Sequence, residues 1–296
     1  MTDIETLNIN QNNQNQNSNL NKSLEENSCC CSKKRIWIKS SCMIYITLLY
    51  ILIPLILTDI FIIYNFSKLY KVIIFYIIVH ISLIYTLICL FNVATTKPGY
   101  QEKNFALTQE EFNQINPKIK IDNEFYPLKY CYTCNIIREA RTFHCNQCKR
   151  CIKKHDHHCP FVNNCIGKEN YWKFFKFLVS VLVFSIIILI INIIFIVDEG
   201  LKGSIIKIVI NFGIIIAAIC TILSMISFII QHIYYVSNNL TTREIIKDNM
   251  KKELVDKGCK NNWKNSLNDN YKDEFDIKYE ELIEQLKNQR QNVNSV

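Results

Sequence analysis

The chain has 296 residues, 49% of them hydrophobic, with 14 cysteines and a formal net charge of +8. Its apolar residues gather into long runs, which excludes an ordinary soluble domain and places the protein in a membrane. The basic residues flank those runs without a recognition helix or stacking motif, so a nucleic-acid partner is disfavoured.

Residues 1–41 read as a disordered tail, because positions 8–21 are almost all Asn and Gln and offer too little apolar surface for a core. Apolar runs follow at 42–64, 72–93, 174–197 and 205–230. Each exceeds the roughly 20 residues needed to cross a hydrocarbon core of about 30 Å. Their unbroken length predicts spanning helices rather than buried strands. The expected fold is therefore mainly α, a polytopic membrane protein with four transmembrane helices. The expected divisions are the tail 1–41, helices 1 and 2 in 42–93, a cytosolic cysteine-rich domain 94–173, helices 3 and 4 in 174–230, and a cytosolic C-terminal region 231–296.

Orientation follows from charge. Lys33, Lys34, Arg35 and Lys39 precede the first span, and 94–173 holds many more basic residues, whereas the short connectors carry few. The positive-inside rule then puts both termini and the middle loop in the cytosol. Asp59, His80 and Asn192 lie in or near the spans, where interhelical hydrogen bonding is the simplest role. Cys42, Cys89 and Cys220 read as small buried hydrophobes. Tyr171 and Trp172 mark an interfacial anchor at the start of the third span. A short amphipathic helix is expected around 278–288.

Residues 131–165 hold seven cysteines and four histidines. Cys131 and Cys134 form a Cys-x2-Cys pair, and His144 leads into Cys145, Cys148 and Cys151 at steps of three. Two closed tetrahedral zinc sites need eight nitrogen or sulfur ligands. Eleven candidates leave three over. A Cys/His mixture at these steps fits a disulfide framework poorly. Cys159 follows Asp156, His157 and His158, which sets a thiol beside a base and an orienting carboxylate. Spacing alone leaves Cys159 open as either a nucleophile or one more ligand.

The series Cys131-x2-Cys134-x9-His144-Cys145-x2-Cys148-x2-Cys151-x4-Asp156-His157-His158-Cys159-x5-Cys165 resembles the cysteine-rich domain of the DHHC protein S-acyltransferases, or palmitoyltransferases. Thr241-Thr242-Arg243-Glu244 is similar to that family's Thr-Thr-x-Glu motif. Asp256-x-Gly258-x3-Asn262-Trp263 is similar to its C-terminal motif, with Val255 where an aromatic is usual. Lys97-Pro98-Gly99 stands in place of the family's Asp-Pro-Gly, which puts a local contact in question.

The resemblance implies that Cys131, Cys134, His144 and Cys151 hold one structural Zn2+ while Cys145, Cys148, His158 and Cys165 hold a second. It implies Cys159 as acyl-accepting nucleophile, His157 as general base and Asp156 as the group orienting that base. Long-chain acyl-CoA, palmitoyl-CoA in particular, is the implied co-substrate. The implied partners are cysteine-containing proteins at or in the membrane, with the lipid bilayer itself, and the implied location is the endomembrane system, Golgi or endoplasmic reticulum. Arg138, Arg141, Lys149 and Arg150 are candidates for CoA phosphates, or equally a solvated basic face near anionic lipid. His155 lies outside the matched positions and reads as a solvated histidine or one packed behind the ligands. Cys29, Cys30 and Cys31 stand either as self-acylation sites or as an unmodified cluster. Thr241 and Thr242 read as a helix cap with Glu244, or as packing against the catalytic domain by the resemblance. Asn262 and Trp263 are expected to dock on that same domain. The alternative function is a noncatalytic membrane-anchored zinc scaffold. A transporter is disfavoured because the spans lack a charged or broken path.

Overall fold

The computed structural model describes residues 42–65, 69–103, 108–121, 124–199, 205–247, 252–268 and 271–294. The expected tail, with Cys29, Cys30, Cys31 and the basic residues before the first span, lies outside them. In chain order the elements are α1 (Cys42–Asn65), α2 (Leu69–Thr95), α3 (Gln109–Ile115), strands β1 to β8 between Lys118 and Ile166, α4 (Tyr171–Glu199), α5 (Ile205–Ser237), α6 (Thr242–Lys247), α7 (Lys252–Val255), α8 (Cys259–Ser266) and α9 (Glu274–Asn294).

Helices α1, α2, α4 and α5 are each long and apolar enough to cross a membrane, which makes this a multi-pass membrane protein. They are hydrophobic all round: Ile81, Phe91, Val209 and Leu223 point outward and exposed, as expected of helices that face lipid. Helix α4 packs against α1, α2 and α5. Helix α5 runs to Ser237, past the apolar run that ended at 230, because its last turns bury His232 and Val236 against neighbouring elements.

Polar side chains stitch the spans together. Asn192 Nδ2 donates to Thr58 Oγ1 at 3.1 Å, and Asn211 Nδ2 donates to Asn192 Oδ1 at 3.0 Å. This joins α1, α4 and α5 by bonds that apolar surroundings favour. Asp59 and His80 face each other across α1 and α2 at 3.5 Å. Cys89 is buried, but Cys220 is exposed on α5, so its small apolar side chain faces outward and not into the bundle.

Outside the spans, the C-terminal helix is longer than expected. Phe275, Tyr279, Ile283 and Leu286 of α9 recur at helical spacing and bury against Ile119, Ile121, Tyr130 and Ile137. The Tyr279 hydroxyl donates to the Ile137 carbonyl at 2.9 Å. Asn262 and Trp263 dock at the ends of α5 and α4, with Trp263 meeting Trp172 at the edge of the expected 94–173 domain. Asn262 Nδ2 donates to the Ser237 carbonyl at 2.8 Å, and the Trp263 ring meets Trp172 and Phe175 edge-on.

Candidate active site

The cysteine-rich segment is too short to build an ordinary core, and it folds as hairpins that converge on two sets of donors. Strand β3 (Lys129–Cys131) pairs with β4 (Ile136–Arg138), β5 (Phe143–Cys145) with β6 (Arg150–Ile152), and β7 (His157–Cys159) with β8 (Asn164–Ile166), all antiparallel. Asn135 and Lys149, each just after the second cysteine of a Cys-x2-Cys turn, adopt left-handed backbone at φ 53° and 55°. That conformation turns the chain tightly enough to present both sulfurs to one point.

Neighbours along a strand point to opposite faces, so adjacent donors are sent to different sites. His144 joins Cys131, Cys134 and Cys151, while Cys145 joins Cys148, His158 and Cys165, and within each set the donor atoms lie within 4.8 Å of one another. Cross-strand register supports both sets: His144 faces Cys151 and His158 faces Cys165. His144 Nδ1 lies 3.3 to 3.9 Å from its three sulfurs, and His158 Nδ1 lies 3.4 to 3.9 Å from its own. Zinc bonds of about 2.0–2.3 Å in a tetrahedron require donors separated by about 3.3–3.8 Å. The two clusters can hold two zinc ions.

The same alternation divides the next tetrad. With His158 turned toward the second cluster, His157 and Cys159 share the other face of β7. Among the described residues, Cys159 is the one thiol between 131 and 165 outside both donor sets. It is 5% exposed and belongs to the apolar cluster that includes Val162 of its own hairpin turn and Val93, Phe174, Phe177 and Leu178 from the spanning helices. Beside it, His157 Nδ1 lies 2.6 Å from Asp156 Oδ2. Burial alone would push the His157 pKa down, but hydrogen bonding to Asp156 and Cys159 reverses this and raises it to about 9. For Asp156, burial opposes ionisation; hydrogen bonds from His157 and Thr242 outweigh it and hold the carboxyl below its ordinary range.

Asp156 is held from a distant part of the chain. The Thr242 backbone N–H donates to Oδ1 at 2.7 Å and its hydroxyl donates to Oδ2 at 2.9 Å. Thr241 caps α6 in a reciprocal pair with Glu244: Glu244 N donates to Thr241 Oγ1 at 3.2 Å and Thr241 N to Glu244 Oε2 at 2.9 Å. Both expected roles of this motif are therefore met at once.

The basic residues separate by environment. Arg141 is 3% exposed and committed to Glu244 and Asn239, so it is withdrawn from the CoA-phosphate candidates: its guanidinium cannot reach solvent. Arg138 is half-buried, Arg150 lies over the Tyr100 ring at 4.8 Å, and Lys149 is exposed. His155 is fully buried, not solvated; Arg243 Nη1 lies 3.0 Å from its Nδ1. Lys97 is exposed, and the neighbouring contacts run through backbone: Lys153 N donates to Gly99 O at 2.8 Å and Glu169 N to Pro98 O at 3.4 Å. The lost acid of that motif therefore leaves the junction intact. Gly167 is required there, since a Cβ would sit 2.5 Å from the Pro98 carbonyl oxygen.

Residues 124–249 match the family model described as DHHC palmitoyltransferase. The chain carries a DHHC palmitoyltransferase domain. Similar proteins include human palmitoyltransferase ZDHHC9, 36% identical over 145 residues that cover 44% of this chain and 38% of that protein. Mouse palmitoyltransferase ZDHHC18 is 32% identical over 196 residues, covering 58% of this chain and 50% of its own. Zebrafish palmitoyltransferase ZDHHC18-A is 37% identical over 142 residues, covering 44% and 29%. The chain thus spans half or less of the curated relatives it matches.

Sequence reasoning did not single out His232 of α5, which lies beside the tetrad: its ring lies 6.4 Å from that of His157 and 5.3 Å from that of Phe174. Its only sequence signal is a histidine in the last turns of an otherwise apolar run. Tyr171, read as an interfacial anchor, hydrogen-bonds His232 Nδ1 at 2.8 Å.

Proposed function

We propose that the protein is a protein S-acyltransferase that moves a long-chain acyl group, palmitoyl in particular, from acyl-CoA through an acyl-Cys159 intermediate to cysteines of membrane-associated proteins. The observation that carries this reading is one thiol, outside both four-donor sets, sharing a strand face with His157 and an apolar cluster with the spanning helices.

The thiolate, not the thiol, is the nucleophile, so the proton must have somewhere to go. With Nδ1 turned to Asp156, the other ring nitrogen of His157 takes the Cys159 proton. The sulfur attacks the thioester carbonyl carbon; the new carbon–sulfur bond forms as the bond to CoA breaks, and His157 returns the proton to the departing CoA thiolate. A target cysteine then gives its proton to His157 and attacks the acyl carbon. Cys159 leaves and is reprotonated. Asp156, ionised and buried, stabilises the imidazolium between these transfers.

Each cluster supplies four protein donors, so the zinc ions would stiffen the hairpins and leave no open coordination position. A chain of about fifteen methylenes is held in lipid by more than about 10 kcal/mol at roughly 0.8 kcal/mol each. A thiol embedded at the helix ends can be reached while that tail stays among the helices. By charge distribution the site and both termini face the cytosol, where thiols stay reduced. We place the protein in the endomembrane system.

The test is incubation of the full chain, purified in detergent, with labelled palmitoyl-CoA. Hydroxylamine-sensitive label is expected on Cys159 and is lost in Cys159→Ser, with two zinc ions retained per chain. A scaffold would take no label in either form.

A further inference from the structure

Asp156 restrains the His157 ring along one edge, through Nδ1 at 2.6 Å. That bond alone leaves the ring free to tilt about its axis, the other hydrogen bond being to Cys159, the partner at which the ring must be aimed. The His157 side chain is 31% exposed, so packing on its outer side does not stop that motion. Among the described residues, the rings that meet its inner side are Phe174 at 5.3 Å, edge-on, and His232 at 6.4 Å. Those two meet each other at 5.3 Å and 76°. Whatever fixes His232 therefore sets the seat on which His157 rests.

Tyr171 fixes it. The Tyr171 hydroxyl and His232 Nδ1 are 2.8 Å apart, and Tyr235 closes the far side of His232 edge-on at 5.7 Å. Tyr171 begins α4, and its backbone N–H donates to Gly167 O at 3.0 Å, in the turn leaving β8. Strand β8 pairs with β7, which carries His157 and Cys159. The chain of contacts thus returns to its start: β7, β8, Gly167, Tyr171, His232 and back to His157. Beyond His232 the same helix leads to Thr242, which holds Asp156. The end of α5 and the segment after it touch both partners of the Asp156–His157 pair.

We propose that Tyr171 and His232 form a positioning pair that holds the His157 imidazole in line with Cys159. The proposal rests on the acyl-transfer reading above for the reaction it assists. Neither residue exchanges a proton with substrate; each acts through the orientation of His157.

The experiment uses the full chain in detergent with labelled palmitoyl-CoA, following single-turnover acylation of Cys159. Tyr171→Phe and His232→Phe keep the rings and remove the hydrogen bond. Each is expected to lower the saturating rate roughly 10- to 100-fold, the cost of a misplaced catalytic group, with the half-saturating acyl-CoA concentration unchanged. The double variant is expected to be no slower than either single one, because both remove the same bond. His232→Asn, which keeps an acceptor toward Tyr171, is expected to recover part of the rate. Zinc content and thermal midpoint should match the parent chain. Saturating rates within about twofold of the parent, or losses that multiply in the double variant, would overturn the pair. Loss of zinc in Tyr171→Phe would overturn it too, by assigning the residue to the fold. Alkylation of Cys159 by iodoacetamide at one fixed pH separates the two readings. It should slow in the same variants whether or not acyl-CoA is the donor, and an unchanged rate in Tyr171→Phe sinks the pair. A parent chain that alkylates normally but takes no acyl label sinks the transfer reading alone.

Discussion

Arg141 and Glu244, 103 positions apart, meet in a forked ion pair, Nε to Oε1 at 2.8 Å and Nη2 to Oε2 at 2.9 Å, with side chains 1% and 0% exposed. Glu244 also accepts from the Thr241 backbone, and Arg141 Nη2 donates to the Asn239 carbonyl at 2.7 Å. The fork thereby ties the cysteine-rich segment to the segment that follows the last spanning helix.

Breaking such a pair leaves an uncompensated buried charge, which costs about 3–5 kcal/mol. Arg141→Ala and Glu244→Gln should each lower the thermal midpoint of the purified protein well beyond the effect of a surface substitution. Arg141→Lys should rescue little, because one ammonium cannot make the fork. A midpoint unchanged in Arg141→Ala would show that the pair is dispensable.

Thr242→Val removes the hydroxyl donor to Asp156 and leaves the backbone donor in place. A hydrogen bond to a charged group contributes about 1.5–3 kcal/mol. Acylation of Cys159 should slow accordingly, with Thr242→Ser restoring it. Asp156→Asn should cost more, roughly 10²- to 10⁴-fold, because the amide no longer stabilises the imidazolium. Pre-steady-state labelling of the two variants side by side checks the order.

Zinc content is expected to respond to substitution at either cluster. His144 and Cys145 are adjacent on β5 and serve different sets. Cys134→Ser, aimed at one set, should therefore loosen the strand that serves the other and bring the metal below one ion per chain instead of to one. Elemental analysis after gel filtration decides it, and a clean ratio of one to one would show that the sites load independently.

Asp273 links α9 to the cysteine-rich segment through Lys154 at 2.9 Å and Arg141 at 3.7 Å. Burial would raise its pKa, but those two cations outweigh it and hold the carboxyl at about 2, against an ordinary 3.8. A lowered acid pKa stabilises the folded form above the unfolded value and loses that contribution as pH falls through the folded one. The protection of α9 from hydrogen exchange should therefore be weaker in Asp273→Asn by a constant amount from pH 8 down to about 4, and the gap should narrow only below that, toward about 2. A gap that varies above pH 5 would place the effect on another group.

The four spans were legible in the sequence because an unbroken apolar run has few other outcomes, whereas the donor sets interleave along the chain, so spacing gave the number of sites and only the resemblance to the DHHC motif divided the ligands between them. Arg141 misled the reading for the opposite reason. Its charge is visible in sequence, but its partner Glu244 is not adjacent, so a buried arginine looked like part of a basic surface. His232 was silent because one imidazole in an apolar helix gives no periodic signal, and its meaning comes from Tyr171 and His157, far from it in the chain. Asn262 and Trp263 were seen as docking residues, but the surface they dock on depends on where α8 leaves the membrane helices, which no local pattern encodes.

The alternation along β7 gives this hairpin a parity. Lengthening or shortening it by one residue ahead of His157 would swap the two faces, turning the free sulfur inward to the metal cluster and a ligand imidazole outward. Single-residue insertions there would not merely weaken the hairpin; they would exchange the parts. Loops elsewhere in the chain can drift in length, while this short ribbon is confined to even steps.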